Sequence, residues 1–153
     1  MPTHPAIPAS PEAAADGLSD RRLQTPTRDF MRPGVIALSE DASLRQAERA
    51  MVRHGVHAIL VLGRGTGRPL GWVTSRAMLR WIGHDLGLVQ TGQAVSEKPT
   101  YIDPGATAQE AVKALSDAAV SHLLVARVPG ETPQGVVSDV DVIALCTREH
   151  RGA

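Results

Sequence analysis

At 153 residues the chain has room for one ordinary domain, or for two small halves that share a core. Sixteen Lys and Arg balance sixteen Asp and Glu, so no net field draws it to nucleic acid or to an acidic membrane face, and any ligand must be held by local groups. A single cysteine, Cys146, excludes an internal disulfide framework, no apolar run is long enough for a membrane span, and the start lacks the features of a signal peptide; a cytoplasmic location is expected.

Residues 1–27 carry Pro2, Pro5, Pro8, Pro11 and Pro26 among Ala, Ser and charged residues. Such a composition buries too little to offset ordering entropy and predicts a disordered tail, in which Ser10-Pro11-Glu12 can start only a short, marginal helix. From residue 28 the pattern changes. The segment "VIALS" reads as a short strand, and Leu44, Ala47, Ala50 and Met51 make a helical apolar stripe that Gly55 is placed to stop. "AILVL" is apolar on both faces, as a buried strand is; a Gly/Pro-rich turn then leads to "LGWVT" and a second helix, "RAMLRWI". Residues 83–92 read as a linker. The series then returns as "PTYID", the stripe Ala108, Ala111, Ala114 and Leu115, "HLLVA", "QGVVS" and "VDVIAL", before a C-terminal tail at 148–153.

Sliding the chain by 64 residues, without a gap, aligns Ala42 with Ala106, Ala47 with Ala111, Val56 with Val120, Leu60 with Leu124, Pro69 with Pro133, Gly71 with Gly135 and Val73 with Val137. The chain is a tandem duplication. An α+β fold of two β-α-β-β-α repeats, 28–82 and 93–147, is predicted, each too small for a full core until it packs on the other.

The segments "RDFMRPGVIALSEDASLRQAERAM" and "PLGWVTSRAML", with their second copies "GQAVSEKPTYIDPGATAQEAVKAL" and "PQGVVSDVDVI", resemble a tandem pair of cystathionine-β-synthase-type (CBS) domains, a Bateman module. The likeness spans roughly residues 28–147. It implies two halves packed through their strands about a pseudo-two-fold axis, with adenine nucleotides or related adenosyl compounds in clefts at the junction. It also implies a sensor, frequently dimeric, and no catalysis. The family's ligand motif runs glycine, two apolar residues, Ser/Thr, two variable residues, Asp. Gly135, Ser138 and Asp141 match it; Gly71 and Thr74 match in the first half, where Ala77 stands at the Asp position. An Arg beside the motif Asp meets phosphate in relatives, and Arg76 matches that place while Val140 does not.

Ser138 at a strand-to-helix junction can lend its hydroxyl while unpaired N–H groups of the helix start face a phosphate. One turn later, the carboxylate of Asp141 can accept both hydroxyls of a ribose diol. The same Ser-x-x-Asp also fits a capping box, with Ser138 as N-cap and Asp141 reaching back; these residues alone leave the two readings open. His57 and His122 flank the middle strands, where they can edge a cleft or serve as ordinary strand-end histidines. With Thr74 and Arg76, the resemblance adds Ser121 and Tyr101 to the candidate ligand contacts. His54-x-x-His57 has a metal-like spacing, but Gly55 ends the helix needed to aim both rings and no third ligand is evident. "GRGTGRPLG" lacks the Gly-Lys-Ser/Thr ending of a phosphate loop, and so few aromatics give no stacking surface for single-stranded nucleic acid.

The expected protein is a stand-alone regulatory module, not an enzyme. It requires no cofactor and binds AMP, ADP, ATP or S-adenosylmethionine. It forms a homodimer through an apolar face containing Met78, Trp81 and Ile82, and it signals to a protein partner, with no nucleic acid and no membrane. The alternative is a ligand-free interaction protein that keeps the duplicated fold as a dimerisation surface.

Overall fold

The computed structural model describes residues 21–147; the helix start at Ser10-Pro11-Glu12 and the 148–153 tail lie outside them. After a two-residue strand β1 (Arg32–Pro33), the first repeat contains β2 (Ala37–Ser39), α1 (Leu44–His54), β3 (Ala58–Leu62), β4 (Pro69–Thr74) and a short α2 (Ser75–Met78). The second contains β5 (Tyr101–Ile102), α3 (Ala108–Ala118), β6 (His122–Val125), β7 (Gly135–Ser138) and α4 (Asp139–Thr147).

Both long helices start on a hydroxyl cap. Ser43 Oγ accepts from Gln46 N while Gln46 Oε1 accepts from Ser43 N, and Thr107 Oγ1 accepts from Glu110 N. They end differently. Gly55 closes α1 in the left-handed region at φ 63°, whereas α3 ends on Ala119 at φ 51°, 64 residues further on. An L-residue there costs roughly 1–2 kcal/mol, partly offset because glycine is freer in the unfolded chain. Ala119→Gly should therefore raise stability by about 0.5–1 kcal/mol in urea unfolding.

Strand registers repeat residue for residue. β2 runs parallel to β3 with Ala37 opposite Leu60, and β3 runs antiparallel to β4 with Ala58 opposite Thr74. Moved on by 64, these become Tyr101 opposite Leu124 and His122 opposite Ser138, as observed. Alternation along a strand sends Ile59 and Val61 to a core with Leu44, Ala47 and Met51, while Leu123 and Val125 meet Ala111 and Leu115. The opposite faces, Ala58, Leu60 and Trp72 from one half and Leu124 from the other, form a third core along the seam. This is why the middle strands are apolar on both faces, and the halves meet through them.

Each lead-in crosses to the other half. β1 pairs with β7, Arg32 opposite Val136 and Pro33 opposite Gly135. In return Glu97 bridges to Trp72 on β4. Two fully buried threonines, 64 residues apart, anchor these crossings: Thr27 Oγ1 donates to Ala106 O at 2.8 Å, and Thr91 Oγ1 donates to Ser39 O at 2.8 Å. Thr27 lies within the segment whose composition reads as tail, and Thr91 within the one that reads as linker.

Candidate ligand-binding site

The lead-in crossing and the two strand-to-helix junctions leave a cleft of about 890 Å³ along the seam. One wall comes from the first lead-in, Pro33 to Ile36, with Val56 to Ala58 at the start of β3. Facing it are Ser138 to Asp141 at the start of α4, and Thr74 to Arg76 at the start of α2, with Ser121 and His122 beside them. Seven of the eight residues singled out in the sequence line this one cleft: Ser138, Asp141, His122, Ser121, Thr74, Arg76 and His57. Tyr101 does not. It occupies the β5 position equivalent to Ala37, and the pairing with Leu124 turns its ring onto the seam core.

Asp141 is already engaged. Ser138 N donates to Asp141 Oδ2 at 2.9 Å and Asp141 N donates to Ser138 Oγ at 3.2 Å, a reciprocal capping box. Arg32 Nε donates to Oδ1 at 3.2 Å; the Asp141 side chain is 11% exposed and that of Arg32 60%. The helix start does not present the unpaired N–H groups expected from the sequence. Asp139 N donates to Ser121 O at 3.0 Å, Val140 N to Asp139 Oδ1 at 2.7 Å, and Asp141 N to the cap. Positive charge in the cleft therefore comes from side chains, Arg32 and Arg76. At the other junction Thr74 Oγ1 caps Ala77 N at 3.1 Å, and Ala77 supplies no carboxylate.

A second acid, Glu97, was not indicated by the repeat pattern. Its Oε1 accepts from Ser121 Oγ at 2.7 Å, and its two oxygens lie 3.3 and 3.2 Å from Ser121 N. His122 Nδ1 stands 3.0 Å from Ser121 Oγ and 3.8 Å from Glu97 Oε2. With the hydroxyl proton directed to the carboxylate, Ser121 Oγ can only accept from His122, which fixes a proton on Nδ1. The Trp72 ring lies against His122, centroids 5.1 Å apart, and its buried Nε1 has no hydrogen-bond partner among the described residues. Arg32 and Glu97 fall where the two copies differ, Ser96 standing opposite Arg32 and Pro33 opposite Glu97. The only signal was a charged side chain just ahead of each lead-in strand.

Burial pushes the Glu97 pKa up, but the neighbouring His122 ring and the hydrogen bonds from Ser121 outweigh it and hold the carboxyl below its ordinary 4.5. A folded-state pKa below the unfolded one stabilises the protein above the unfolded value, and this stabilisation is lost as pH falls through the folded one. The stability difference between the parent and Glu97→Gln should shrink as the pH falls from about 5 to about 3. Urea midpoints across that range check it, and a difference still constant at about pH 3 would refute it.

His54 and His57 both line the cleft, but Gly55 between them is left-handed, and among the described residues no three His, Cys, Asp or Glu are grouped to hold a metal. No helix among them is long and apolar enough to cross a membrane.

The family model for the CBS domain matches residues 28–84 and again 92–147, so the chain belongs to the CBS domain family as a tandem pair. No curated protein matches its sequence. Among solved structures, it is similar to the CBS domain of a bacterial CNNM/CorC family Mg²⁺ transporter in complex with ATP. That match has 21% identity and TM-score 0.68, over 84% of this chain and 92% of that one. It is also similar to CBS domain protein PAE2072 from Pyrobaculum aerophilum complexed with AMP, at 19% identity and TM-score 0.65 over 81% and 100% of the two chains. Hypoxic Response Protein I with two coordinated zinc ions matches at 24% identity and TM-score 0.63, over 78% and 97%. At these identities the likeness establishes the fold.

Proposed function

We propose that this CBS pair is a regulatory module that binds an adenosine-containing ligand, AMP, ADP, ATP or S-adenosylmethionine, in the seam cleft and signals its occupancy to a partner protein. The observation that carries this reading is the placing of Asp141 and Ser138 opposite the first lead-in, in a cleft of about 890 Å³, large enough for a nucleotide. Among the described residues the carboxylate's outer oxygen is held only by the exposed Arg32, a contact worth about 0–1 kcal/mol that a ribose diol can displace. Arg76 and the released Arg32 then supply charge for phosphate. The AMP complex of PAE2072 and the ATP complex of the transporter domain support the ligand class by analogy of fold. A ligand touching both repeats couples their packing, which is how occupancy reaches a partner. The role is regulatory rather than catalytic, in keeping with the tandem CBS pair that makes up the chain.

Thermal denaturation tests the reading. At one hundred times its Kd, a ligand specific to the native state adds about 2.7 kcal/mol, so AMP or ATP should raise the Tm by several degrees where guanosine does not. No shift with any of the four would favour the ligand-free interaction protein.

The assembly expected with this role is a homodimer. The sequence suggested a face of Met78, Trp81 and Ile82, but Met78 is 7% exposed and Trp81 packs on the first core. The exposed apolar residues of the two motif helices and the turn after α2 include Leu79, Ile82, Val140 and Ile143; Leu79 and Ile143 are equivalent positions of the two repeats. Light scattering at micromolar concentration should give a dimer mass, and Leu79→Glu combined with Ile143→Glu should give the monomer.

A further inference from the structure

We propose that Glu97 is an internal stand-in for a phosphate-type anion: its carboxylate fills a subsite made by Ser121 N–H, Ser121 Oγ–H and His122, and a phosphate-bearing ligand must displace it. The inference rests on the nucleotide reading only for the identity of the displacing anion. Three features support it. First, the two Ser121 donors converge on the carboxylate, the hydroxyl at 2.7 Å from Oε1 and the amide at 3.2 Å from Oε2, while His122 Nδ1 orients the hydroxyl and lends its ring 3.8 Å from Oε2, an arrangement that suits the oxygens of any tetrahedral or planar anion. Trp72, whose buried Nε1 has no partner among the described residues, lies against the same histidine.

Second, the fold does not require the acid. The equivalent positions 64 residues earlier are Pro33 and His57, which bring neither carboxylate nor hydroxyl, yet the first repeat keeps the same strand register. Third, Glu97, Ser121 and His122 all line the cleft that holds Asp141, so a ligand anchored at Asp141 shares its space with this carboxylate. Its side chain is 18% exposed, which gives it a route out into the cleft. While it is in place, its charge repels an arriving phosphate and its oxygens hold the donors. Adenosine, which has no anion, is indifferent to it.

Calorimetric titration of the parent, Glu97→Gln, Glu97→Ala, and Glu97→Gln combined with Ser121→Ala tests the assignment, with pyrophosphate, AMP and adenosine as probes. Pyrophosphate and AMP should bind Glu97→Gln about tenfold more tightly than the parent, equivalent to about 1.4 kcal/mol. Binding to Glu97→Ala should be tighter still. Adenosine should change by less than about twofold, and adding Ser121→Ala should remove the gain. The proposal is overturned if neither anion gains in Glu97→Gln, or if the gain survives the loss of the Ser121 hydroxyl. Glu97→Gln is nearly isosteric, so it carries the comparison should Glu97→Ala fail to fold. Adenosine binding with no anion gain sinks the role of Glu97 and leaves the nucleotide reading intact. A pyrophosphate gain without any adenosine binding does the reverse.

Discussion

Alanine at Gly71 or at Gly135 should each cost about 2–3 kcal/mol of stability in urea unfolding, the largest expected loss for so small a change. A Cβ at Gly71 would fall on the carbonyl oxygen of Glu97 and within 2.6 Å of Val95 Cγ1, and its φ of +148° is one that L-residues rarely adopt. A Cβ at Gly135 would fall on the carbonyl oxygen of Arg32, with Met31 Sδ at 2.9 Å. These are the glycines that open the two copies of the ligand motif. Their physical reason is the chain crossing, because the lead-in of the opposite repeat lies directly against each of them. The clash involves backbone, which no rotamer change relieves, and the Trp72 N to Glu97 O bond of 2.9 Å would be forced apart. Both variants should also disturb the cleft, whose walls the crossings hold in place. A loss below about 0.5 kcal/mol at both positions would mean that the lead-ins do not pack there.

The duplication was legible because its period is carried by large apolar residues, and the strand registers of the second half all repeat those of the first at the same offset. The two-sided apolar character of β3 and β6 signalled that another half had to cover them. The crossings were not legible. β1 is two residues long and the return crossing is a single bridge at Glu97, both too short to show a period, and their registers come from partners distant in sequence. Thr27 is buried by a contact with Ala106 that nothing in its Pro-rich surroundings announces. The exposed face after α2 shifted because the helix tightens to a 3-10 turn over Leu79–Trp81, which rotates Leu79 outward and Trp81 onto the core. Arg32 and Glu97 escaped notice because a search for repeated features passes over the positions where copies diverge.

Asp141→Ala should weaken adenosine binding by about tenfold to a hundredfold, since a hydrogen bond to a charged group contributes about 1.5–3 kcal/mol and about 1.4 kcal/mol is a factor of ten. The same substitution removes a working cap: Ser138 N loses its acceptor at 2.9 Å and Arg32 loses its partner, a further cost of about 0.5–2 kcal/mol in stability. Two effects on one side chain have to be separated. Asp141→Asn does so, because its amide oxygen can still accept from Ser138 N while the charge that grips a diol is gone. In the sensor reading both variants lose affinity, and only Asp141→Ala loses much stability. Arg32→Ala should act the other way, freeing Oδ1 and strengthening adenosine binding by about twofold, in proportion to the small worth of an exposed ion pair. If Asp141→Ala loses stability but binds adenosine as tightly as the parent, the Ser138-x-x-Asp141 stretch is a helix cap and nothing more, and the ligand must be sought elsewhere along the seam.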